Sequence, residues 1–406
     1  MKRVVSLLLT FALVAASFAS CSKGDDGAVA KAERGGVANV FKSNSVSMPE
    51  NYTTVSEYAV SGGRVYALAK SADDDGKLYS LVSFDAEGGD MRIEELPYEN
   101  VSDFTVLSGG ERVYLLTVYD SAALLNEHLL CKTDADGNEI FSVSVAISDL
   151  GEYGWLGEIV IDAEDRVYLN TQKSVVIVSP YTGETLAAIK IDDAVEYTED
   201  TEYTYFTLYR VGGRAAVQYT DRQTVFKYID ADEGKIGDDV YCPDDFILGR
   251  NFVYSSSGSD DVLYYFATDA GLYSVRESEP QSAEVVNWLN SDVAPCVDAF
   301  VVNSDRVFYQ YFPGNAWVAA TLALVRIPDD EIVPKYTIEI GYVKQLDPQR
   351  HLMNLAAEFN RTNPDYRVTF TDYKQLSGNL EHEELLAFIN MELATGNIPD
   401  MLLIGG

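Results

Sequence analysis

From residue 37 to residue 333 apolar and polar positions alternate in short runs, and the runs return with a spacing of roughly 43 to 54 residues. Each return has the same form: a small or acidic turn, then Arg, then alternating apolar and aromatic residues. Gly62-Gly63-Arg64-Val65-Tyr66 is repeated as Gly110-Glu111-Arg112-Val113-Tyr114, as Glu164-Asp165-Arg166-Val167-Tyr168 and as Gly212-Gly213-Arg214-Ala215-Ala216. Looser copies stand at Asp260-Asp261-Val262-Leu263-Tyr264 and Ser304-Asp305-Arg306-Val307-Phe308. About twenty residues after an anchor comes a second turn, as in Asp85-Ala86-Glu87-Gly88, Asp134-Ala135-Asp136-Gly137, Tyr181-Thr182-Gly183-Glu184 and Asp230-Ala231-Asp232-Glu233-Gly234. Asp and Gly supply the local hydrogen bonds and positive φ of tight hairpins. The segments between, such as Lys77 to Phe84, Val175 to Val178 and Thr224 to Ile229, are rich in β-branched and aromatic residues.

Four short strands per repeat, repeated six times, predict a mainly β chain whose body, residues 37–333, is a six-bladed β-propeller, with seven blades as the alternative count. A sandwich would lack the period, and an open solenoid would leave a long unpaired edge. The last repeat, from about Val297 to Ile332, holds three strands, while Val37 to Met48 is strand-like and precedes the first repeat. Pairing these two ends would abolish the open edge, so the N-terminal segment is expected to complete the last blade.

The first 20 residues have the three parts of a secretory signal: Lys2 and Arg3, an apolar run from Val4 to about Phe18, and small residues before Cys21. The run falls short of the roughly 20 residues a spanning helix needs. Phe18-Ala19-Ser20-Cys21 resembles the lipobox of bacterial lipoproteins, with Phe18 where that motif carries Leu. The resemblance implies that Cys21 is lipidated and anchors the mature chain outside the cytoplasmic membrane; ordinary cleavage nearby is the alternative. Residues 21–36 are polar and Gly- and Ala-rich, as a flexible tether requires.

The chain has 64 Asp and Glu against 30 Lys and Arg, a net charge of −34. That excludes nucleic acid as a partner, because polyphosphate binding needs a concentrated basic surface. Beyond Cys21, only Cys131, Cys242 and Cys296 remain, which rules out a disulfide framework and CxxC zinc sites. Cys131, in Leu129-Leu130-Cys131, reads as a buried strand residue. His128, His351 and His382 stand far apart, without an HExxH or Ser/His/Asp setting. The Asp134 and Asp230 turns lack calcium-loop spacing. No metal, no cofactor and no catalytic residue is expected. Asp73-Asp74-Asp75 and Glu196 to Glu202 read as solvated loops, and the 27 tyrosines chiefly as blade packing, with a sugar-stacking platform as the alternative.

From residue 334 the pattern becomes βαβαβ. Tyr336 to Tyr342 is a strand; Asp347-Pro348 opens a helix that carries Leu352, Leu355, Ala356 and Phe359 on one face and ends at Asn363-Pro364. A strand at Tyr366 to Asp372 follows, then a helix from about Leu380 to Ala394 and a strand beginning at Pro399. Leu355-Ala356-Ala357-Glu358-Phe359-Asn360 with Asn363-Pro364, Tyr366-Arg367-Val368, and Thr395-Gly396-Asn397-Ile398-Pro399-Asp400-Met401 resemble the opening of extracellular solute-binding proteins of ABC importers, the sugar-binding type. The resemblance covers about 70 of the 406 residues. It implies an α/β lobe with ligands at the carboxyl ends of its strands, where Tyr342, Asp372 and Tyr373 are the nearest candidates for contact. That family continues well beyond the point where this sequence stops, so residues 334–406 are expected to be an incomplete lobe with both helices half exposed.

The reading that follows is a lipid-anchored surface protein, monomeric and not an enzyme, that captures a small molecule or oligosaccharide, carbohydrate by resemblance, for an ABC importer permease. The alternatives are a propeller that itself binds a partner protein or glycan, and a propeller glycan hydrolase or lyase.

Overall fold

A computed structural model describes residues 38–47, 52–71, 79–120, 125–145, 156–171, 174–191, 206–221, 223–244, 246, 252–255, 261–268, 270–277, 279–294, 298–311, 320–343, 350–377, 380, 382–396 and 399–403. Six antiparallel sheets of four strands follow one another along the chain. Blade 1 is Tyr52–Ser61, Arg64–Ser71, Tyr79–Asp85 and Arg92–Glu95, from inside to outside. The inner strands of blades 2 to 6 are Val101–Val106, Leu156–Ile161, Phe206–Val211, Phe252–Ser255 and Asp298–Asn303, and residues of all six inner strands line one axial cavity. That arrangement is a six-bladed propeller.

The turns are made as their residues dictate. Gly62 and Gly63, like Gly212 and Gly213, take positive φ at both positions of a two-residue hairpin, a conformation that costs glycine nothing. In the outer hairpins Asp85 Oδ1 accepts from the N–H groups of Glu87 and Gly89, and Asp134 Oδ1 from those of Asp136 and Asn138. The Asp134 turn is thus closed on itself, its carboxyl held low by bonds to Asn138.

Both faces of each blade are buried. Along Val167–Thr171, Val167 and Leu169 enter the apolar seam with blade 2, while Tyr168 enters the seam with blade 4. Each of the six seams has its own apolar cluster. This is why runs such as Val175 to Val178 are apolar throughout rather than alternating. Tyr114, Tyr168, Tyr264, Tyr265 and Tyr309 are fully buried in these seams, so blade packing accounts for them. The repeated Arg of the anchor ties neighbours together: Arg112 pairs with Glu94 of blade 1 at 2.7 Å, Arg166 with Asp232 of blade 4 at 3.0 Å, and Arg306 with Glu87 of blade 1 at 3.3 Å.

The ring closes as the sequence predicts. Phe41–Ser45 pairs antiparallel with Ala320–Arg326 and becomes the outer strand of blade 6. Blade 6 then packs on blade 1 through Val302, Phe308 and Ala323 against Val65, Val82 and Phe84, with Phe84 and Phe308 stacked at 5.1 Å.

Beyond the propeller, Tyr336–Tyr342 lies parallel to Tyr366–Asp372 on one side and to Met401–Leu402 on the other. Helices α1 (Arg350–Thr362), α2 (Tyr373–Leu376) and α3 (His382–Thr395) connect these strands. The short α2 was not anticipated from the sequence. Asn363 Oδ1 accepts from the N–H groups of Asp365 and Tyr366, which turns the chain out of α1. The expectation of two half-exposed helices needs correction for α1: its Met353 is buried, and its Ala356 and Ala357 are buried against Ile340, Val368 and the propeller residues Leu289 and Ala294. For α3 it holds, with Leu386 and Met391 exposed. The proposed helix start at Asp347-Pro348 lies outside the described residues.

Candidate functional site

The axial cavity has a volume of about 420 Å³ and is walled by the inner strands. An inner strand has no neighbour on its axial side, so its edge N–H groups need other partners. Side chains of a neighbouring blade serve some of them. Asp103 of blade 2 accepts from its neighbour Phe104 and reaches across to the N–H of Ile159 in blade 3; Glu158 of blade 3 accepts from Leu208 of blade 4. Ser255 Oγ accepts from the Arg210 N–H at 2.9 Å.

Three carboxyl groups therefore face the same cavity: Glu57, Asp103 and Glu158. Glu57 sits at a register shift of its strand, with φ +46°. Burial pushes the Asp103 carboxyl well above the usual carboxylate range, with Glu57 and Glu158 adding repulsion that its two backbone hydrogen bonds only partly offset. Burial likewise raises Glu158. A carboxyl raised in the folded state holds a proton that the unfolded chain has already released. Folding stability therefore falls as pH rises from the ordinary carboxylate range through the raised value, and is flat above it. In a thermal-melt series from pH 4 to 9, Asp103→Asn should show a smaller decline with pH than the parent; parallel curves would exclude Asp103 as the source.

The sequence-predicted contacts lie in the α/β unit. Tyr342 and Asp372 are register partners at the carboxyl edge of the parallel sheet, and Tyr373 follows as the first residue of α2. Tyr342 is buried edge-on against Phe370. Asp372 is half-buried. Tyr373 is buried and packs with Leu385 and Ile389 of α3, and burial raises its phenol, with Glu339 and Glu392 adding. Gly341 makes room for it: a Cβ there would stand 2.5 Å from Tyr373 Cε2 and 3.0 Å from Pro399 Cγ. The motif residues around them are structural. Asn360, fully buried, donates to the carbonyls of Val368 and Leu289 and accepts from the Val368 N–H, and Asp400 accepts from the Glu339 N–H.

Cys21, Cys296, Asp73–Asp75 and Glu196–Glu202 lie outside the described residues. Cys131 is a buried free thiol beside the Tyr98 hydroxyl, and Cys242 is half-buried and free. Among the described residues no group of three His, Cys, Asp or Glu is placed to hold a metal ion, and no helix is long and apolar enough to cross a membrane.

The geometry defines a class: a six-bladed propeller closed by its N-terminal strand, carrying a three-stranded parallel α/β unit. No family model matches the chain, and no curated protein matches it. Among solved structures it is similar to the β-propeller domain of the Trilobed protease from Pyrococcus furiosus, with 12% identity over 70% of this chain and 85% of that one, at a TM-score of 0.39. It is also similar to the extracellular domain of a hybrid two-component system from B. thetaiotaomicron, with 10% identity over 71% of this chain and 40% of that one, at a TM-score of 0.38. Similarity at this level says nothing about function, and the fold rests on the chain's own sheet order.

Proposed function

We propose that this chain is a lipid-anchored, extracytoplasmic binding protein whose α/β unit begins a solute-binding lobe, capturing a sugar for an ABC importer without chemically altering it. The observation that carries the reading is the parallel order of the three strands, Tyr366–Asp372, Tyr336–Tyr342, Met401–Leu402. That is the 2-1-3 order of doubly wound sheets, in which ligands bind outside the carboxyl ends where the order reverses. Tyr342 stands at that switch and Asp372 at the carboxyl end of the adjoining strand, and a half-buried carboxylate next in register to an aromatic residue suits sugar hydroxyls.

Titrating the full chain with a panel of mono- and oligosaccharides in a thermal-shift assay tests it. A sugar that raises the melting temperature of the parent, with the gain abolished in Asp372→Ala, is the expected result. A panel without any stabilising sugar, or a gain that survives Asp372→Ala, would remove the α/β edge as the seat of binding. Anchoring has its own check: Cys21→Ser should abolish incorporation of labelled palmitate in cells and release the protein from the membrane fraction.

A further inference from the structure

The axial cavity of about 420 Å³ adjoins a second of about 350 Å³ towards the inner hairpins, and the two share four lining residues: Val60, Val106, Ile161 and Arg210. All four lie at or next to the ends of the inner strands of blades 1 to 4. The boundary between the two cavities is lined by Val60, Val106 and Ile161, whose side chains pack into the blade seams, and by Arg210. Among the described residues nothing forms a hydrogen bond or ion pair with that guanidinium, and its Nε is shut off from water without a partner. Burial presses its pKa down, while the field of Asp165, Asp162 and Glu164 works in the opposite direction.

Those three carboxylates are engaged elsewhere. Asp162 accepts from the backbone of Glu164 and Arg166, from Arg166 Nε and from the Tyr168 hydroxyl; Asp165 accepts from the Ser108 backbone and hydroxyl; Glu164 pairs with Arg166. They supply a compensating field and no bonds. A guanidinium whose Nε is buried without a partner destabilises the fold, and its planar fork matches a carboxylate.

We propose that Arg210 anchors a ligand site in the propeller channel, binding the carboxylate of a small zwitterion of the amino-acid class whose ammonium group faces Glu57 and Glu158. Those two residues and Asp103 are the carboxyl groups that line the axial cavity, one from each of blades 1, 2 and 3. A simple anion would leave the Glu57 and Glu158 carboxyl groups unmatched, and a simple cation would leave the guanidinium unused. A zwitterion satisfies both, and the chamber has the volume of a small-molecule site. This site is independent of the α/β edge, so either can fail while the other stands.

The test is thermal melting of the full chain with γ-aminobutyrate, L-lysine, butyrate and butylamine at equal concentrations. One or both zwitterions should raise the melting temperature, and butyrate and butylamine should raise it less. Arg210→Gln should abolish that gain and, with no probe added, should melt roughly 2–4 °C above the parent, because the unpartnered guanidinium is gone. Arg210→Lys, which keeps the charge without the fork, should bind at least about tenfold more weakly. An Arg210→Gln chain that melts below the parent would mean that the guanidinium is a structural element and would overturn the proposal. So would a gain unchanged in Arg210→Gln, or the absence of any gain from either zwitterion.

Discussion

Phe41→Ala is expected to cost about 3–5 kcal/mol of folding stability, the range for truncating a well-packed buried Phe to Ala. Phe41 is 2% exposed and lies in the seam between blades 5 and 6 with Trp288 and Tyr309. Its backbone N–H donates to Ser291 Oγ, and its strand pairs residue for residue from Arg326 to Leu322. It is the one strand of blade 6 that comes from the other end of the propeller, so losing it both empties the seam and exposes the edge of Ala320–Arg326. Urea unfolding followed by the fluorescence of fully buried Trp288 would report the change. A midpoint displaced by less than the equivalent of about 1 kcal/mol, the typical cost of an ordinary substitution, would show that closure does not depend on this strand.

Asp292→Asn should be comparably severe but local. Asp292 lies in the turn that follows Trp288, with φ +58°, a conformation Asn tolerates, so the substitution removes the charge and leaves the backbone unstrained. Its carboxylate is 3.3 Å from Lys335 Nζ and 3.3 Å from Arg367 Nη2. Arg367 is 3% exposed, and its Nε and Nη1 have no partner. Without Asp292 two enclosed cations lose their counter-charge, which by analogy with broken buried pairs costs about 3–5 kcal/mol. These groups, with Asn360 bonded to the Leu289 carbonyl, join the α/β unit to the propeller. Hydrogen exchange should therefore accelerate in α1 and in Tyr366–Asp372 while blades 1 to 3 keep their protection. Uniform acceleration through all six blades would contradict a local latch.

The propeller was legible because its signals are local. The Gly62-Gly63 and Gly212-Gly213 hairpins, the Asp85 and Asp134 turns and the strands between them depend on residues within a few positions of one another. The strand at Phe41–Ser45 followed from counting strands against turns. In the α/β unit the boundaries Tyr336–Tyr342 and Tyr366–Asp372 agree with the alternation of the sequence, whereas α2 lay hidden in a stretch too short to show a helical period.

The channel residues were missed. One signal was available: an acidic residue stands seven to nine positions before the repeated Arg in blades 1 to 3, at Glu57, Asp103 and Glu158. Nothing local set them apart among 64 acidic residues. Arg210 was equally inconspicuous, because it precedes its hairpin while the repeated anchor Arg follows its own.

The sequence alone determined which segments are strands, where they turn and that the ends of the propeller meet, since alternation, turn chemistry and strand count are written within single repeats. Only the tertiary structure decided which side chains meet on the axis and that the α/β unit rests on Leu289, Ala294 and Asp292. Those contacts join residues from different repeats. They arise from the curvature of the ring, which no single repeat contains.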